Sequence, residues 1–394
     1  MIERVLYVNQ TIAMSGAERS LLDLLEGLPG STTPVVASPK GELYSALEAR
    51  GVAVEPLPAV DLSFRLHPTR TPAGLAWIPR AAALIRRIAG RHGAQLIHAN
   101  STRAGFPCVL ARRFGGPAVV VHARDPVPAG AAGRATLAVI EGGSDLVIAN
   151  SRYVASQYRD RKGKVRVVHN SVDTARFDPG RFDRPQARAR LGLGAGPALA
   201  LIAHFVPWKA HDDAVRMLAK LKPTHPDLRL LLVGSVKFSE PGGRWDNAGF
   251  RRDVEELARS LGVADDVIFT GECDDVPELL SAVDVLLVPS VWEPFGRVVV
   301  EGMAMGLPVV ATDIGGPVEV IRDGVDGITL PPRSPDAWAA AVAELLDNGE
   351  RRRALGEAAR ARVIADFGPD RVVSKVLAHY DEVLADRPAR RRGA

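Results

Sequence analysis

The sequence predicts an α/β protein made of two doubly wound, Rossmann-like domains. Three observations predict this fold class: the chain is 394 residues long, short apolar runs alternate with segments of helical spacing, and this alternation stops and restarts midway. A chain of this length exceeds what one hydrophobic core usually holds. Strands that alternate with helices of this length form a parallel sheet that is covered on both faces.

The first half contains seven strand-like runs with five helical segments between them. The expected strands are 4–9, 34–38, 52–57, 95–99, 118–122, 145–149 and 165–168, and the expected helices are 17–26, 43–50, 77–92, 103–114 and 152–160. Turn chemistry in Asn170-Ser171-Val172-Asp173 and in Phe177-Asp178-Pro179-Gly180 ends this half. Residues 1–178 are therefore expected to form an N-terminal domain.

The pattern restarts after a polar, arginine-rich segment at 180–196, which we expect to be a linker with a short helix. The expected strands are 198–205, 229–234, 267–270, 283–289, 309–312 and 327–330, and the expected helices are 212–220, 250–261, 276–281, 296–305, 337–347 and 350–366. Residues 179–369 are expected to form a C-terminal domain. A last amphipathic helix is expected at 370–385, and residues 386–394 form a basic tail that should fray.

The composition is that of a globular protein, with 46% hydrophobic and 24% charged residues. No run of about 18 apolar residues predicts a transmembrane helix, and the N-terminus begins a strand without a signal peptide. The only cysteines, Cys108 and Cys273, are far apart in sequence, and no Cys/His cluster has metal-ligand spacing. We therefore expect a cytoplasmic protein whose thiols fill the core and which holds no metal.

The net charge of +4 is unevenly distributed. The segment up to Asp178 carries 22 basic and 14 acidic side chains, a net charge of +8, and the rest carries 28 and 32, a net charge of −4. The basic half could face a membrane or nucleic acid; we expect the inner face of a membrane and no nucleic acid. The alternative for the basic half is that its arginines cover solvated faces. The arginines of 79–92 could reach a lipid surface; the alternative for this segment is that its apolar residues pack on the sheet.

Two carboxylates, Glu293 and Glu301, bracket a predicted strand-to-helix turn in Trp292–Glu301. In an open parallel sheet this turn lies at the carboxyl edge of the strands, where ligands bind. The start of the helix offers unpaired N–H groups to an anion, commonly a phosphate. A phosphate site beside two carboxylates predicts a ligand with both phosphate and hydroxyl groups, such as a sugar nucleotide.

The same stretch resembles the signature of retaining glycosyltransferase family 4, the glycosyl transferases group 1. The matching residues are Glu293-Pro294-Phe295-Gly296, Glu301, and the run from Gly306-Leu307-Pro308 through Gly315-Gly316-Pro317 to Ile321. Enzymes of this family have the GT-B fold, in which two Rossmann-like domains face each other across a cleft and a C-terminal helix crosses back to the N-terminal domain. The resemblance implies an N-terminal acceptor domain and a C-terminal donor domain.

The resemblance gives the residues of this stretch separate roles toward a nucleotide-diphosphate sugar. It implies that Glu301 binds the donor ribose and that Glu293 contacts the transferred sugar or its leaving phosphate. Gly296 would let the diphosphate approach the backbone, because no Cβ intrudes. We group Phe295 and Arg297 with the donor-binding residues, although Phe295 suits packing better. The alternatives are a helix-dipole charge for Glu301 and a helix cap for Glu293.

The leaving diphosphate needs a positive partner when no metal is present. Lys209, in His204-Phe205-Val206-Pro207-Trp208-Lys209-Ala210, matches the phosphate-binding lysine of the family; the alternative is an exposed surface lysine. The family often has arginine where this chain has His204, and glycine where it has Ala210. Whether a second cation binds the phosphate therefore stays open. Gly271 matches a position near the nucleotide base or is a plain turn glycine. An Asp-x-Asp metal motif is absent, and we expect no metal cofactor.

The first domain should supply the acceptor site. Gly16, in Met14-Ser15-Gly16-Ala17-Glu18-Arg19, resembles the glycine loop that approaches the donor phosphate. His122 matches a family histidine near the reaction centre; the alternative is a histidine satisfied at a strand end. His98, Asn100 and Arg124 are acceptor-side candidates at the same edge of the sheet.

The resemblance implies a retaining, metal-independent glycosyltransferase that uses a nucleotide-diphosphate sugar and an acceptor hydroxyl, in glycan, polysaccharide or glycolipid synthesis. Glu293, Lys209 and His122 are the expected catalytic residues. The alternatives are a sugar-nucleotide epimerase of the same fold and a non-catalytic partner subunit. An NAD-dependent oxidoreductase is disfavoured, because no Gly-x-Gly-x-x-Gly follows a predicted strand. The base, the sugar and the acceptor stay open.

Overall fold

The computed structural model of the protein describes residues 2–59, 70–237 and 246–386. The chain divides into two compact units, Met1–Ser171 with Pro369–Ala394, and Val172–Gly368. The division falls between Ser171 and Val172 rather than after Asp178. The reason is packing: the N–H of Val172 donates to the carbonyl of Phe367, and Val172 and Phe177 belong to a core cluster of the second unit. The expected basic tail lies outside the described residues after Asp386.

The first unit contains a parallel sheet of order β3-β2-β1-β4-β5-β6-β7. Every strand predicted for this half is present, with ends that differ by at most one residue. The strands are β1 (Arg4–Val8), β2 (Thr33–Ser38), β3 (Ala53–Pro56), β4 (Leu96–Ala99), β5 (Ala118–Ala123), β6 (Leu146–Ala149) and β7 (Val165–Val167). Core clusters cover the two faces of this sheet, which is why its inner strands are mostly apolar, with His98 in β4 and His122 in β5 as buried exceptions.

Six helices connect these strands: α1 (Gly16–Glu26), α2 (Glu42–Glu48), α3 (Arg70–Arg91), α4 (Thr102–Arg113), α5 (Ala131–Gly143) and α6 (Arg152–Ala155). The sequence did not predict α5, whose three glycines lower the helical propensity of this segment. The helix predicted at 152–160 is shorter than expected. A non-glycine residue with positive φ, Asp160, precedes β7.

The second unit contains a parallel sheet of order β10-β9-β8-β11-β12-β13. Its strands are β8 (Ala198–Ile202), β9 (Arg229–Val233), β10 (Val267–Gly271), β11 (Val285–Val288), β12 (Val309–Thr312) and β13 (Ile328–Leu330). All six predicted strands are present. This order is the one found in dinucleotide-binding Rossmann domains.

Eight helices belong to this unit: α7 (Arg184–Arg190), α8 (His211–Leu221), α9 (Asn247–Ser260), α10 (Val276–Ala282), α11 (Arg297–Ala304), α12 (Pro317–Val320), α13 (Pro335–Asp347) and α14 (Gly349–Asp366). Buried clusters cover both faces of the sheet. The short α12 was not predicted, because one helical turn has no periodicity to detect.

The last helix, α15 (Pro369–Ala385), belongs to the first unit. Its apolar face, including Val372, Val373, Val376 and Tyr380, lies in the core cluster that covers one face of the first sheet. Among the described helices, none has the length and apolar character needed to cross a bilayer.

Candidate active site

Each sheet reverses its strand order at one point. In the first unit the reversal lies between β1 and β4, and in the second unit it lies between β8 and β11. Ligands of open parallel sheets bind outside the carboxyl ends of the strands at such a point. The segments that follow β8 and β11 are therefore the place to look for a ligand site in the second unit.

Lys209 lies at the end of a 3-10 turn, Pro207–Lys209, that follows β8. The next residue, Ala210, is buried and adopts the left-handed conformation, with φ 56° and ψ 43°. This conformation favours glycine, since a Cβ atom is disfavoured there. The structure thus gives a physical reason why glycine suits this position, and the protein holds an alanine in it. Helix α8 begins at the next residue.

Glu293 follows β11 and is only 7% exposed. Its Oε2 atom lies 2.5 Å from the Nζ of Lys209. The same oxygen accepts a hydrogen bond of 3.1 Å from the hydroxyl of Ser290. The structure therefore brings together two of the predicted catalytic residues, 84 positions apart, across the reversal point. The sequence did not indicate the role of Ser290.

Two further contacts join the segments that carry Lys209 and Glu293. The N–H of Val291 donates to the carbonyl of Trp208 at 2.8 Å. The rings of Trp208 and Trp292 stack with centroids 5.8 Å apart and planes 7° apart. The tryptophans are the sequence neighbours of the paired lysine and glutamate, and sequence analysis did not single them out. Their stacking fixes the two segments relative to each other.

The segment around Glu293 is also held from the other side by Gly315 and Gly316. The N–H of Gly316 donates to the carbonyl of Glu293 at 2.8 Å. A Cβ on Gly315 would lie 2.0 Å from that carbonyl oxygen, and one on Gly316 would lie 2.3 Å from the Cα of Phe295. Real Cβ atoms do not approach so closely, so the two glycines are required by this packing.

Gly296 precedes α11 with a φ of 87°, which favours glycine. A Cβ here would lie 3.0 Å from Cγ2 of Val299 and 3.2 Å from Cγ of Glu293. The positive φ and the close neighbours require glycine at 296 whether or not a ligand is bound. They add to the predicted reason for this glycine, which is that it leaves room for a diphosphate. No side chain caps this helix start, and its first N–H groups therefore suit an anion.

Glu301 lies in the second turn of α11 and is 9% exposed. Its Oε1 accepts a hydrogen bond of 3.0 Å from Nη2 of Arg297, one turn earlier. Arg297 thus orients the carboxylate that the resemblance assigns to the ribose. Phe295 differs from its predicted grouping: its side chain is 2% exposed and lies in a core cluster. It therefore packs in the core instead of presenting its ring to a ligand.

Two residues were predicted to lie on the nucleotide side of the site. His204 follows β8, and Gly271 is the last residue of β10. Gly271 has a φ of 74°, and no atom lies within 4 Å of where its Cβ would be, so its backbone conformation explains the glycine. Beside it, Lys237 and Glu272 form an ion pair of 2.7 Å. The hydrogen bond from Lys237 lowers the pKa of Glu272, and the charge of His204 adds to this effect. Sequence analysis missed this pair, because nothing in the spacing relates the two residues.

In the first unit His98 and His122 lie within β4 and β5 and are buried. Their ring centroids are 5.3 Å apart. Nδ1 of His98 lies 2.6 Å from the hydroxyl of Tyr380, in a hydrogen bond that ties β4 to α15. Burial, and then the charge of Arg124, lowers the pKa of His98 to about 3. The pKa of His122 is lowered by the same causes in the same order.

The two histidines differ in what they offer a ligand. Neither ring nitrogen of His122 has a hydrogen-bond partner among the described residues. His122 lines a small cavity together with Ser20, Arg124, His169 and Val376. Both ring nitrogens of His122 are thus left for a ligand or a water molecule. His98, in contrast, uses Nδ1 to hold α15.

Arg124 is 4% exposed and is held by two buried amides. Its Nε donates to Oδ1 of Asn100 at 2.9 Å, and its Nη1 donates to Oδ1 of Asn170 at 2.8 Å. Asn100 also donates to Oδ1 of Asn9 at 3.2 Å, across the reversal point between β1 and β4. Three of the first-domain candidates, His122, Arg124 and Asn100, are therefore brought to one edge of the sheet, as parallel strands imply.

Gly16 is the first residue of α1, and Ser15 caps that helix. Glu18 completes the cap: its Oε2 accepts from the N–H of Ser15 at 3.0 Å, and its Oε1 accepts from the hydroxyl of Thr11 at 2.7 Å. The serine that stands where the family has a second glycine thus has a structural role. The spacing Ser15-x-x-Glu18 is the signal of a capping box.

Within the ranges 2–59, 70–237 and 246–386, no group of three or more His, Cys, Asp or Glu residues could hold a metal ion. Cys108 is buried and Cys273 is partly buried, and both are free thiols.

Two family models match the chain. The one described as Glycosyltransferase Family 4 matches residues 14–176, and the one described as Glycosyl transferases group 1 matches residues 183–362. With two parallel sheets of Rossmann type and a lysine–glutamate pair at a reversal point, the chain has the domains of a GT-B glycosyltransferase. It belongs to glycosyltransferase family 4.

Curated relatives include two bacterial proteins named D-inositol 3-phosphate glycosyltransferase. The one from Salinispora arenicola is 38% identical over 255 residues, which are 61% of this chain and 56% of the relative. The one from Mycolicibacterium vanbaalenii is 35% identical over 263 residues, 64% of this chain and 56% of the relative. The matched segment thus spans little more than half the length of these relatives.

Solved structures share the fold over nearly the whole chain. HepE from Anabaena, solved with UDP and glucose, has a TM-score of 0.81 at 22% identity and covers 97% of this chain and 100% of its own. Sucrose-phosphate synthase from Thermosynechococcus elongatus has a TM-score of 0.80 at 23% identity, with coverage of 98% and 100%. These likenesses establish the GT-B fold.

Proposed function

We propose that this protein is a metal-independent, retaining glycosyltransferase that moves a sugar from a nucleoside-diphosphate sugar to an acceptor hydroxyl. The observation that carries the proposal is the pairing of Lys209 with Glu293 beside the uncapped start of α11. A cation and a set of backbone N–H groups at one point suit a diphosphate. The solved HepE complexes contain UDP, and one contains UDP-glucose, which supports a donor of this class.

Each donor-site residue then has one task. Lys209 neutralises the charge that develops on the leaving diphosphate. Glu301, held by Arg297, accepts hydrogen bonds from the ribose hydroxyls. Glu293 accepts a hydrogen bond from a hydroxyl of the transferred sugar once the diphosphate engages Lys209. In the first unit, His122 offers a ring nitrogen to the acceptor, and its lowered pKa keeps the ring neutral.

The first test is a thermal-shift panel of UDP-, GDP- and ADP-sugars. A ligand at 100 times its dissociation constant stabilises a protein by about 2.7 kcal/mol, so a matching donor will raise the melting temperature. The relatives' name makes an inositol phosphate the first acceptor to try with that donor. Nuclear magnetic resonance of the product in the presence of EDTA should show the donor's anomeric configuration kept and the rate unchanged.

Two outcomes would point to the alternatives. Conversion of the donor sugar to its epimer without any acceptor would identify an epimerase. If no sugar nucleotide raises the melting temperature and no turnover is detected, the protein would be a non-catalytic subunit. Inversion of the anomeric centre or loss of activity in EDTA would each contradict one part of the proposal.

We further propose that the first domain binds an anionic membrane surface. Helices α3 and α4 contain no Asp or Glu. They expose Arg80, Arg87 and Arg113, and Phe114 at the end of α4 is 62% exposed. Exposed arginines without acidic neighbours on the same helices, together with an exposed aromatic ring, suit anionic lipid. Binding to phosphatidylglycerol vesicles should exceed binding to phosphatidylcholine vesicles and fall in the triple variant R80S/R87S/R113S. Equal binding to both vesicles, or unchanged binding by the variant, would refute this surface.

A further inference from the structure

The guanidinium group of Arg333 contacts three groups that flank Lys209 in sequence. Its Nη1 lies 2.7 Å from Oδ2 of Asp212 and 3.2 Å from Oδ1 of Asp213. Its Nη2 donates to the carbonyl of Pro207 at 3.3 Å. Pro207 precedes the lysine, and the two aspartates follow it in the first turn of α8. One side chain therefore holds both ends of the segment that carries Lys209.

The backbone at both ends of this link is in a conformation that side chains seldom adopt. Three non-glycine residues with positive φ occur among the described residues: Asp160, Ala210 with φ 56°, and Arg333 with φ 58°. Two of the three belong to this link. Such conformations persist where surrounding contacts enforce them, and they concentrate at functional sites.

The same segment is held from the opposite side by the Glu293 segment, through the Trp208 carbonyl and the stacked tryptophans. Lys209 thus lies between two sets of contacts. The Glu293 side consists of site residues, whereas Arg333 comes from the loop after β13 and has no site role so far.

We propose that Arg333 is a positioning residue: it fixes the Pro207–Asp213 segment so that the ammonium of Lys209 meets the donor diphosphate. This rests on the proposed function, in which Lys209 binds that diphosphate. Arg333 does not contact the donor itself. Its effect on ligand binding should therefore pass entirely through Lys209.

A purely stabilising role fits the exposure of these groups poorly. The side chain of Arg333 is 43% exposed and that of Asp212 is 26% exposed, whereas that of Asp213 is 10% exposed. The pair between Arg333 and Asp212, which water reaches on both sides, adds little to folding stability. Replacement of Arg333 should therefore leave the protein folded, which makes the following experiment feasible.

The experiment measures dissociation constants for a nucleoside diphosphate and for its parent nucleoside, which lacks the phosphates. The probe is the tightest binder among UDP, GDP and ADP. The variants are R333A, R333K, K209A and the double variant R333A/K209A. The matched control is R259A, which removes an exposed arginine that pairs with Glu256 in the same unit.

We expect R333A to weaken binding of the diphosphate by about tenfold, equivalent to about 1.4 kcal/mol, and to leave the affinity for the nucleoside unchanged. R333K should recover part of the affinity, and R259A should behave as the wild type. Because coupled residues are non-additive, the double variant should bind the diphosphate no more weakly than K209A alone.

Three results would overturn the inference. Diphosphate affinity unchanged in R333A but reduced in K209A would refute the role of Arg333 and leave the proposed function intact. Equal losses for nucleoside and diphosphate, or fully additive losses in the double variant, would show that Arg333 does not act through Lys209. Binding of none of the three diphosphates by the wild type would overturn the proposed donor site and this inference together.

Discussion

The Nζ atom of Lys209 lies 2.5 Å from Oε2 of Glu293, and this ion pair joins the segments that follow the two strands at which the second sheet reverses its order. The glutamate side chain is 9% exposed and the lysine side chain is 22% exposed. A diphosphate that engages Lys209 competes directly with Glu293. In our account donor binding redirects the ammonium to phosphate and frees the carboxylate for the sugar.

Replacement of Lys209 by alanine should cut turnover of the donor by about 100-fold or more, the usual effect of removing one group that stabilises developing charge. The measurement is release of nucleoside diphosphate from the sugar nucleotide that stabilises the protein most. The control is Lys220→Ala, which removes another lysine of the same unit from its exposed pair with Asp336. Comparable activity of both variants would contradict the assigned role.

Replacement of Glu293 by glutamine should separate binding from turnover. The free nucleoside diphosphate should bind more tightly, since the ammonium of Lys209 no longer has to leave a charged partner before it meets the phosphate. Sugar transfer should fall, because the carboxylate is lost. Isothermal titration with the diphosphate checks the first effect, and Glu344→Gln, at an exposed pair with Arg351, is the control. Weaker diphosphate binding by Glu293→Gln would refute the competition.

Replacement of Glu301 by glutamine should weaken the binding of the nucleoside and of the nucleoside diphosphate alike, by about tenfold. The reason is that hydrogen bonds to a charged group are worth about 1.5–3 kcal/mol. The pattern differs from that of Lys209→Ala, which should affect the diphosphate only. Titration of both ligands into both variants distinguishes a ribose contact from a phosphate contact. A loss confined to the diphosphate would move Glu301 away from the ribose.

Replacement of Gly315 or Gly316 by alanine should destabilise the second unit by about 2 kcal/mol or more, as overpacking against rigid backbone does. The new Cβ would lie 2.0 Å from the Glu293 carbonyl or 2.3 Å from the Cα of Phe295. Urea unfolding measures the change. Gly194→Ala is the control, since nothing lies within 4 Å of its Cβ position. A variant as stable as this control would contradict the prediction, because it would show that the Glu293 segment shifts at little cost to make room for the new Cβ.

Acid should destabilise the second unit through His211, which is fully buried and stacks on Phe205 at 4.3 Å. Burial lowers its pKa to about 3, whereas an unfolded histidine has a pKa near 6.5. Between these values the unfolded state binds a proton and the native state does not. The contribution to stability is therefore present above about pH 6.5 and is lost as the pH falls toward 3, by about 1.4 kcal/mol per pH unit.

Urea unfolding between pH 7 and pH 5 checks this effect. The variant His211→Phe keeps a stacked ring but cannot titrate, so its stability should fall less steeply with acid than that of the wild type. Equal slopes for the two proteins would show that His211 does not contribute to the acid sensitivity.

The strands and the donor-site motif could be predicted from the sequence because both are local patterns. Apolar runs between helical segments identified all the strands, and Glu293 and Glu301 stand in one continuous match. Contacts between distant segments could not be predicted in this way. The ion pair between Arg333 and Asp212 and the hydrogen bond between Tyr380 and His98 join residues that no regular spacing in the sequence relates. The burial of Phe295 likewise follows from packing against Phe367, which only the folded chain reveals.

The central claim is that the second unit binds a nucleoside-diphosphate sugar through Lys209 and activates its diphosphate as a leaving group without a metal. The most direct measurement is the rate of nucleoside diphosphate release from the best-stabilising sugar nucleotide, with acceptor and EDTA present, by the wild type and by Lys209→Ala. We predict steady release by the wild type and a loss of about 100-fold in the variant. Equal rates for the two proteins, or release that requires a divalent metal, would contradict the account.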